Sequence, residues 1–234
     1  MGNRKNLTSP QAVKDGVSFT QDQLDAVLCL VASEGDCEAV ERLLQTGSDI
    51  DCQKGQPLRH ASANGHLGVV KFLVEAGADI HHFNDEAFRY ACADGHLEIA
   101  EYLLANGAKI DAMNNYAVRW ASEKGHLEVV KFLVERGADI HAHDNHAIDG
   151  ADEYGHQEVV DFLIAKGDWQ TKDEEGLSQL ERLAQKEDCA PLVERIEKYL
   201  KAKEQAAEEM RRHNEVVAIL KTQSKPFALK RRAK

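Results

Sequence analysis

A near-identical phrase recurs through the middle of this chain. It reads NGHLGVVKFLVEAGADI at 64–80, DGHLEIAEYLLANGAKI at 94–110, KGHLEVVKFLVERGADI at 124–140 and YGHQEVVDFLIAKG at 154–167. The Gly-His pairs fall at 65/66, 95/96, 125/126 and 155/156, a fixed period of 30. Gly35-Asp36 extends the grid one step toward the N-terminus with a weaker copy. A period of this size implies a solenoid, in which each unit buries its apolar faces against its neighbours.

Each unit reads as two helices. In 86–107 the pattern predicts a short first helix from Glu86 to Ala93, a turn at Asp94-Gly95, and a longer second helix from His96 to Asn106 that Gly107 ends. The second helices keep only a narrow non-apolar stripe: Gly68, Lys71, Glu75; Glu98, Glu101, Ala105; Glu128, Lys131, Glu135; Glu158, Asp161, Ala165. A stripe that narrow belongs to a helix packed on several sides, with the stripe as the solvated back. The pieces Ala78-Asp79-Ile80, Ala108-Lys109-Ile110 and Ala138-Asp139-Ile140 alternate as an extended, strand-like turn would.

The phrase GHLEVVKFLVExGADI resembles the second helix and turn of the ankyrin repeat, and the resemblance covers about residues 20–200. It implies an all-α solenoid of stacked helix pairs, L-shaped, with strand-like fingers along one side. It also implies protein binding on the concave face made by fingers and first helices. The usual repeat is about 33 residues, so these 30-residue copies are short, and alignment places the loss in the finger near 82–86. Such shortened repeats resemble those of large DNA viruses and some bacterial proteins. The family's Thr-Pro-Leu-His is replaced by Gln56-Pro57-Leu58-Arg59, Glu86-Ala87-Phe88-Arg89, Tyr116-Ala117-Val118-Arg119 and His146-Ala147-Ile148-Asp149.

Other segments flank this core. Residues 1–19 lack periodicity and read as a flexible arm. Residues 20–50 read as an N-terminal capping hairpin, opened by Thr20 with Gln23 in capping-box spacing. Residues 168–200 read as a degenerate C-terminal cap, giving about six hairpins between 20 and 200. A helical extension is expected over 201–220, with a basic tail at 221–234. The tail holds six Lys/Arg and no acid. With a formal net charge of -11, residues 1–220 therefore carry -17, since -11 less +6 is -17. An acidic body disfavours nucleic-acid phosphates and attracts basic protein surfaces.

Five cysteines without CxxC spacing predict reduced thiols and a cytoplasmic setting. No apolar run approaches the length that spans a membrane. Phosphate-binding Gly-rich, HExxH and GxSxG motifs are absent, so the chain reads as non-catalytic, without a cofactor. A monomer is the expected state.

Residues 30 apart stack along one face. Arg59, Arg89, Arg119 and Asp149 form one column of the first helices, and His60, Tyr90, Trp120 and Gly150 the next. One reading buries the aromatic side chains between helices and pairs the arginines with nearby acids. The other makes both columns a binding surface, because Arg, Tyr and Trp dominate interface energetics. In the family, residues just before the turn glycine also face the concave side. The candidate partner-binding set is therefore Arg59, His60, Asn64, Arg89, Tyr90, Asp94, Arg119, Trp120, Glu123, Lys124, Glu153 and Tyr154. In the tail, Phe227, Lys230, Arg231 and Arg232 are candidates for docking a protein or contacting phosphates. In the family, the histidine of each Gly-His pair bonds backbone of the turn. His141, His143 and His146 cluster on a finger, yet no cysteine or acid completes a tetrahedral set at standard spacing, so no metal is expected.

The function that follows is binding of another protein through the concave face, as an adaptor or as a modulator of a partner enzyme. Two alternatives stand beside it: an acidic inhibitor that covers a basic nucleic-acid-binding surface, and a nucleic-acid binder acting through the tail.

Overall fold

The computed structural model describes residues 19–172, 177–186 and 188–223. The N-terminal arm up to Ser18, the finger expected at 173–176, and the tail candidates Phe227, Lys230, Arg231 and Arg232 lie outside the described residues. The chain divides into two compact units, Met1–Gly167 and Asp168–Lys234.

The first unit is a succession of helix pairs. They are α1 Gln21–Glu34 with α2 Cys37–Gln45, α3 Cys52–Ala63 with α4 Leu67–Glu75, and α5 His82–Ala93 with α6 Leu97–Ala105. Two more follow: α7 Ala112–Glu123 with α8 Leu127–Glu135, and α9 Ala142–Glu153 with α10 Gln157–Lys166. First helices pack on first helices and second on second. Thr20 closes the expected capping box on α1, its hydroxyl accepting from the Gln23 amide while the Gln23 side chain accepts from the Thr20 amide. Leu28, Val70, Leu73, Phe88, Leu103, Val118, Leu133, Ile148 and Leu163 form the apolar interior, spread through every unit of the stack.

In place of the fingers, each of α3, α5, α7 and α9 opens with one left-handed turn. Residues 53–55, 83–85, 113–115 and 143–145 all have positive φ, between 49° and 64° at the eleven non-glycine positions. Right-handed helix resumes at 56, 86, 116 and 146, so the first helix of the second full copy starts at Glu86, as its pattern requires. Among the described residues no strand forms: Ala78 and Asp79 belong to no ladder, and the sole bridge joins Lys172 and Ser178.

Left-handed backbone costs about 1–2 kcal/mol per L-residue, so three in a row need support. Residue choice supplies part of it, because Asn and Asp tolerate this region best: the pairs are Asn84-Asp85, Asn114-Asn115 and Asp144-Asn145, with Lys54-Gly55 in the first copy. Arginine supplies more. Arg89 donates from Nε to the Asn84 carbonyl at 2.9 Å and from Nη2 to the Phe83 carbonyl at 2.8 Å. Arg119 repeats this on Asn114 at 3.1 Å and Met113 at 3.2 Å. The buried third residue closes the turn. Asp85 accepts from His81 Nδ1 at 2.6 Å, Asn145 from His141 Nδ1 at 2.6 Å, and Asn115 from the Asp139 amide at 2.9 Å.

The histidines of the Gly-His pairs join neighbouring units. His66 Nε2 donates to the Ser33 carbonyl and His96 Nε2 to the Ala63 carbonyl, both at 2.9 Å, across the C-terminus of the preceding first helix. The glycine of the preceding pair leaves room for the ring.

In the second unit, Ser178 caps α11 Gln179–Ala184 with a capping box to Glu181. α12 runs from Ala190 to Gln223, with Pro191 in its first turn where a missing N–H costs nothing. Leu183, Leu192 and Ile196 are buried, and residues 201–215 of α12 are almost all exposed.

Candidate protein-binding face

On the first helices of the first unit, positions four apart share a face. Three columns result: Gln56, Glu86, Tyr116, His146; His60, Tyr90, Trp120, Gly150; and Asn64, Asp94, Lys124, Tyr154. The aromatic members touch across the columns. Tyr90 and Tyr116 meet edge to face with ring centroids 6.5 Å apart. Tyr116 stacks on Trp120 at 5.4 Å, Trp120 lies 6.3 Å from the His146 ring, and His146 5.8 Å from His143. Each of Tyr90, Tyr116, Trp120 and His146 is half-buried, so the row presents one side to solvent.

The arginines of the neighbouring column lie beneath this row. Arg89 and Arg119 are buried, 7% and 9% exposed, with their guanidinium groups on the turn carbonyls and 4.8 Å and 5.9 Å from the Tyr116 ring centroid. Burial lowers the pKa of Arg119 and raises that of Tyr116. Arg59 bonds differently. Its Nη2 donates to His60 Nε2 at 3.0 Å, and its Nε lies 3.6 Å from Glu86. Lys124 and Asp94 bridge adjacent units at 2.7 Å. Glu123 lies 4.0 Å from His146 and leans over Gly150, where a Cβ would come within 3.2 Å of the Glu123 Cβ. Asn64 is exposed and bonds the carbonyl of His60 in its own helix. Glu153 is exposed, and Tyr154 is 60% exposed at the end of the third column.

Thus Arg89, Tyr90, Arg119, Trp120 and Glu123 converge on Tyr116 and His146. Arg59 and His60 group with Glu86, and Asp94 pairs with Lys124. Asn64, Glu153 and Tyr154 lie at the ends. Two side chains of the row, Tyr116 and His146, lie beyond the partner-binding candidates read from sequence. Tyr116 is its centre, four residues before Trp120. Phe83 and Met113, each 53% exposed, stand at the first position of successive left-handed turns. The signal for Tyr116 was the four-residue helical spacing.

Of the histidine cluster, His141 is tied to Asn145, while His143 and His146 pack edge to face. Among the described residues no group of three or more His, Cys, Asp or Glu side chains is arranged to hold a metal ion. No helix of the described residues is long and apolar enough to cross a membrane.

Burial, chiefly, lowers the pKa of His60, His126 and His146, and neighbouring Arg59, Lys124 and Arg119 push the same way. The folded chain therefore keeps these rings neutral after the unfolded chain has begun to take up protons near pH 6.5. Their contribution to stability is fully present above that value and is lost as pH falls below it. The unfolding midpoint is expected to drop between about pH 7 and pH 5, measured by circular dichroism, with a shallower drop in His126→Asn. A midpoint that rises on acidification contradicts this.

A search of curated proteins finds no match. The sequence profile for ankyrin repeats (3 copies) matches residues 15–84 and 81–144, together more than half of the chain. With the stacked helix pairs, the 30-residue period and the histidine bonds between units, that match establishes that the chain belongs to the ankyrin-repeat family.

Proposed function

We propose that this chain is a non-catalytic protein-binding module that captures a partner protein on its first-helix face, centred on Tyr116 and Trp120. Ankyrin repeats are in general protein–protein interaction modules. The observation that carries the assignment to this face is the aromatic row Tyr90–Tyr116–Trp120–His146, half-exposed along the first helices. Folding alone does not require large apolar groups to be held half-exposed side by side, and contiguous apolar patches of this kind mark interaction sites. The left-handed turns favour access, because a single turn shields the first helices less than a projecting finger. Preorganisation lowers the ordering cost of binding: the Arg89 and Arg119 bonds hold the platform under Tyr116 before a partner arrives.

A second reading rests on charge. Residues 1–220 carry -17, which suits an inhibitor covering a basic nucleic-acid-binding surface. Capture from host extract separates the readings. The baits are the full chain, the chain with Tyr116→Ala and Trp120→Ala, and the chain without 221–234, each at moderate and high salt. The expected result is a protein retained at high salt and lost with the double substitution, at unchanged circular dichroism. Retention by the double variant, with loss in high salt, moves the function to the acidic body. Loss only on tail deletion moves it to the tail.

A further inference from the structure

Cys29, on α1, and Cys52, at the start of α3, are both buried, and their sulfurs lie 3.6 Å apart. A disulfide needs about 2.05 Å, so closing the bond asks for a small shift of two neighbouring helices. We infer that Cys29 and Cys52 are a redox-responsive thiol pair that closes to a disulfide under a peroxide oxidant. This stands independently of the binding-face reading.

The geometry assigns the roles. Cys52 Sγ lies 3.6 Å from the Asp25 carbonyl as well as from Cys29, so its S–H has two acceptors at hand. Either sulfur can donate across this gap, and the Asp25 carbonyl beside Cys52 favours the proton on Cys52; in that arrangement the Cys29 thiol is pushed down and the Cys52 thiol up. Cys29 is therefore the attacking sulfur and Cys52 the resolving one. The Cys29 thiolate attacks one peroxide oxygen, breaks the O–O bond and becomes a sulfenic acid, releasing water once a proton is taken up. The Cys52 sulfur then attacks the Cys29 sulfur and expels the second water. Two thiols and one hydrogen peroxide yield one disulfide and two waters; the sulfurs together lose two electrons and the peroxide gains them. Cys92, fully buried with its thiol pushed up by burial, lacks this activation.

The place of the pair gives it a consequence. Among the described residues α1 and α2 pack against a neighbouring pair on one side only, and a unit held on one side opens more readily than one held on both. A bond between residues 23 apart ties α1 to the following unit and restricts that opening.

The test treats the full chain with one equivalent of hydrogen peroxide, alkylates it after denaturation, and maps the peptides. The expected product is an intramolecular link between the peptides carrying Cys29 and Cys52. The unfolding midpoint should rise by several degrees and return on adding dithiothreitol. In Cys52→Ser, Cys29 should be trapped as sulfenic acid by a dimedone probe, whereas Cys29→Ser should give neither link nor adduct at Cys52. If Cys29 and Cys52 both stay alkylatable while exposed Cys37 consumes the oxidant, or if the link joins two chains, the inference is overturned.

Discussion

Gly65→Ala is expected to lower the unfolding free energy by about 3 kcal/mol, one of the largest losses for so small a change. Gly65 has φ +81°, where an L-residue costs about 1–2 kcal/mol. A Cβ there would lie 2.7 Å from Cε1 and 2.8 Å from Nδ1 of His96, too close for either atom to stay. Displacing the ring breaks the bond from His96 Nε2 to the Ala63 carbonyl, adding about 1 kcal/mol. The loss sits at the junction between units, so denaturant unfolding should become less cooperative as well as earlier. His96→Ala in the same background should cost little more, because the contact is already gone. A Gly65→Ala chain with the stability of the parent would remove the histidine ring from its role as the joint between units.

Arg119→Ala is expected to cost about 3 kcal/mol, from two charge-assisted hydrogen bonds at about 1.5–3 kcal/mol each, partly offset where water reaches the freed carbonyls. Those bonds hold Met113 and Asn114 in a backbone conformation that L-residues avoid. Arg119→Met separates charge from packing: it keeps the apolar stem beside Tyr116 and loses the donors. If the donors matter, Met rescues little of the loss. Rescue by Met, with unfolding followed in guanidinium chloride, would show that the stem and not the guanidinium supports the turn. Because Tyr116 rests on these arginines, Arg119→Ala should also weaken partner binding, whereas Gly65→Ala, remote from Trp120 along the stack, should affect it less.

Most of the architecture can be read from the residues. The 30-residue grid, the helix pairs, the Thr20 cap and the Glu86 start all depend on local spacing and side-chain chemistry. The left-handed turns do not. Non-glycine residues visit that region singly as a rule, and Asn84-Asp85 or Asn114-Asn115 read locally as an ordinary loop. What selects three in succession lies outside the turn: a connection about three residues too short for a finger, aided in two of the four copies by Arg89 or Arg119, about a helical turn later, donating to the turn carbonyls. The same dependence governs the face. The Tyr90 and Trp120 column was legible because stacked repeats align residues 30 apart. Tyr116 belongs to a different column and joins the row only through helical spacing within α7. Arg89 and Arg119 shared a column with Arg59 in sequence, yet they turn to backbone carbonyls that exist in that position only because the turn is left-handed.

The most direct test of recognition by the aromatic face is a calorimetric titration of the captured partner against three chains. They are the parent, the variant carrying Tyr116→Ala and Trp120→Ala, and a back-face variant carrying Glu98→Ala, Glu101→Ala and Glu128→Ala. The aromatic pair should weaken binding at least about 30-fold, or about 2 kcal/mol, and the exposed acids should change it by no more than a factor of about two. Full affinity in the aromatic variant, with loss in the back-face variant, would contradict the assignment and place recognition on the acidic side of the second helices.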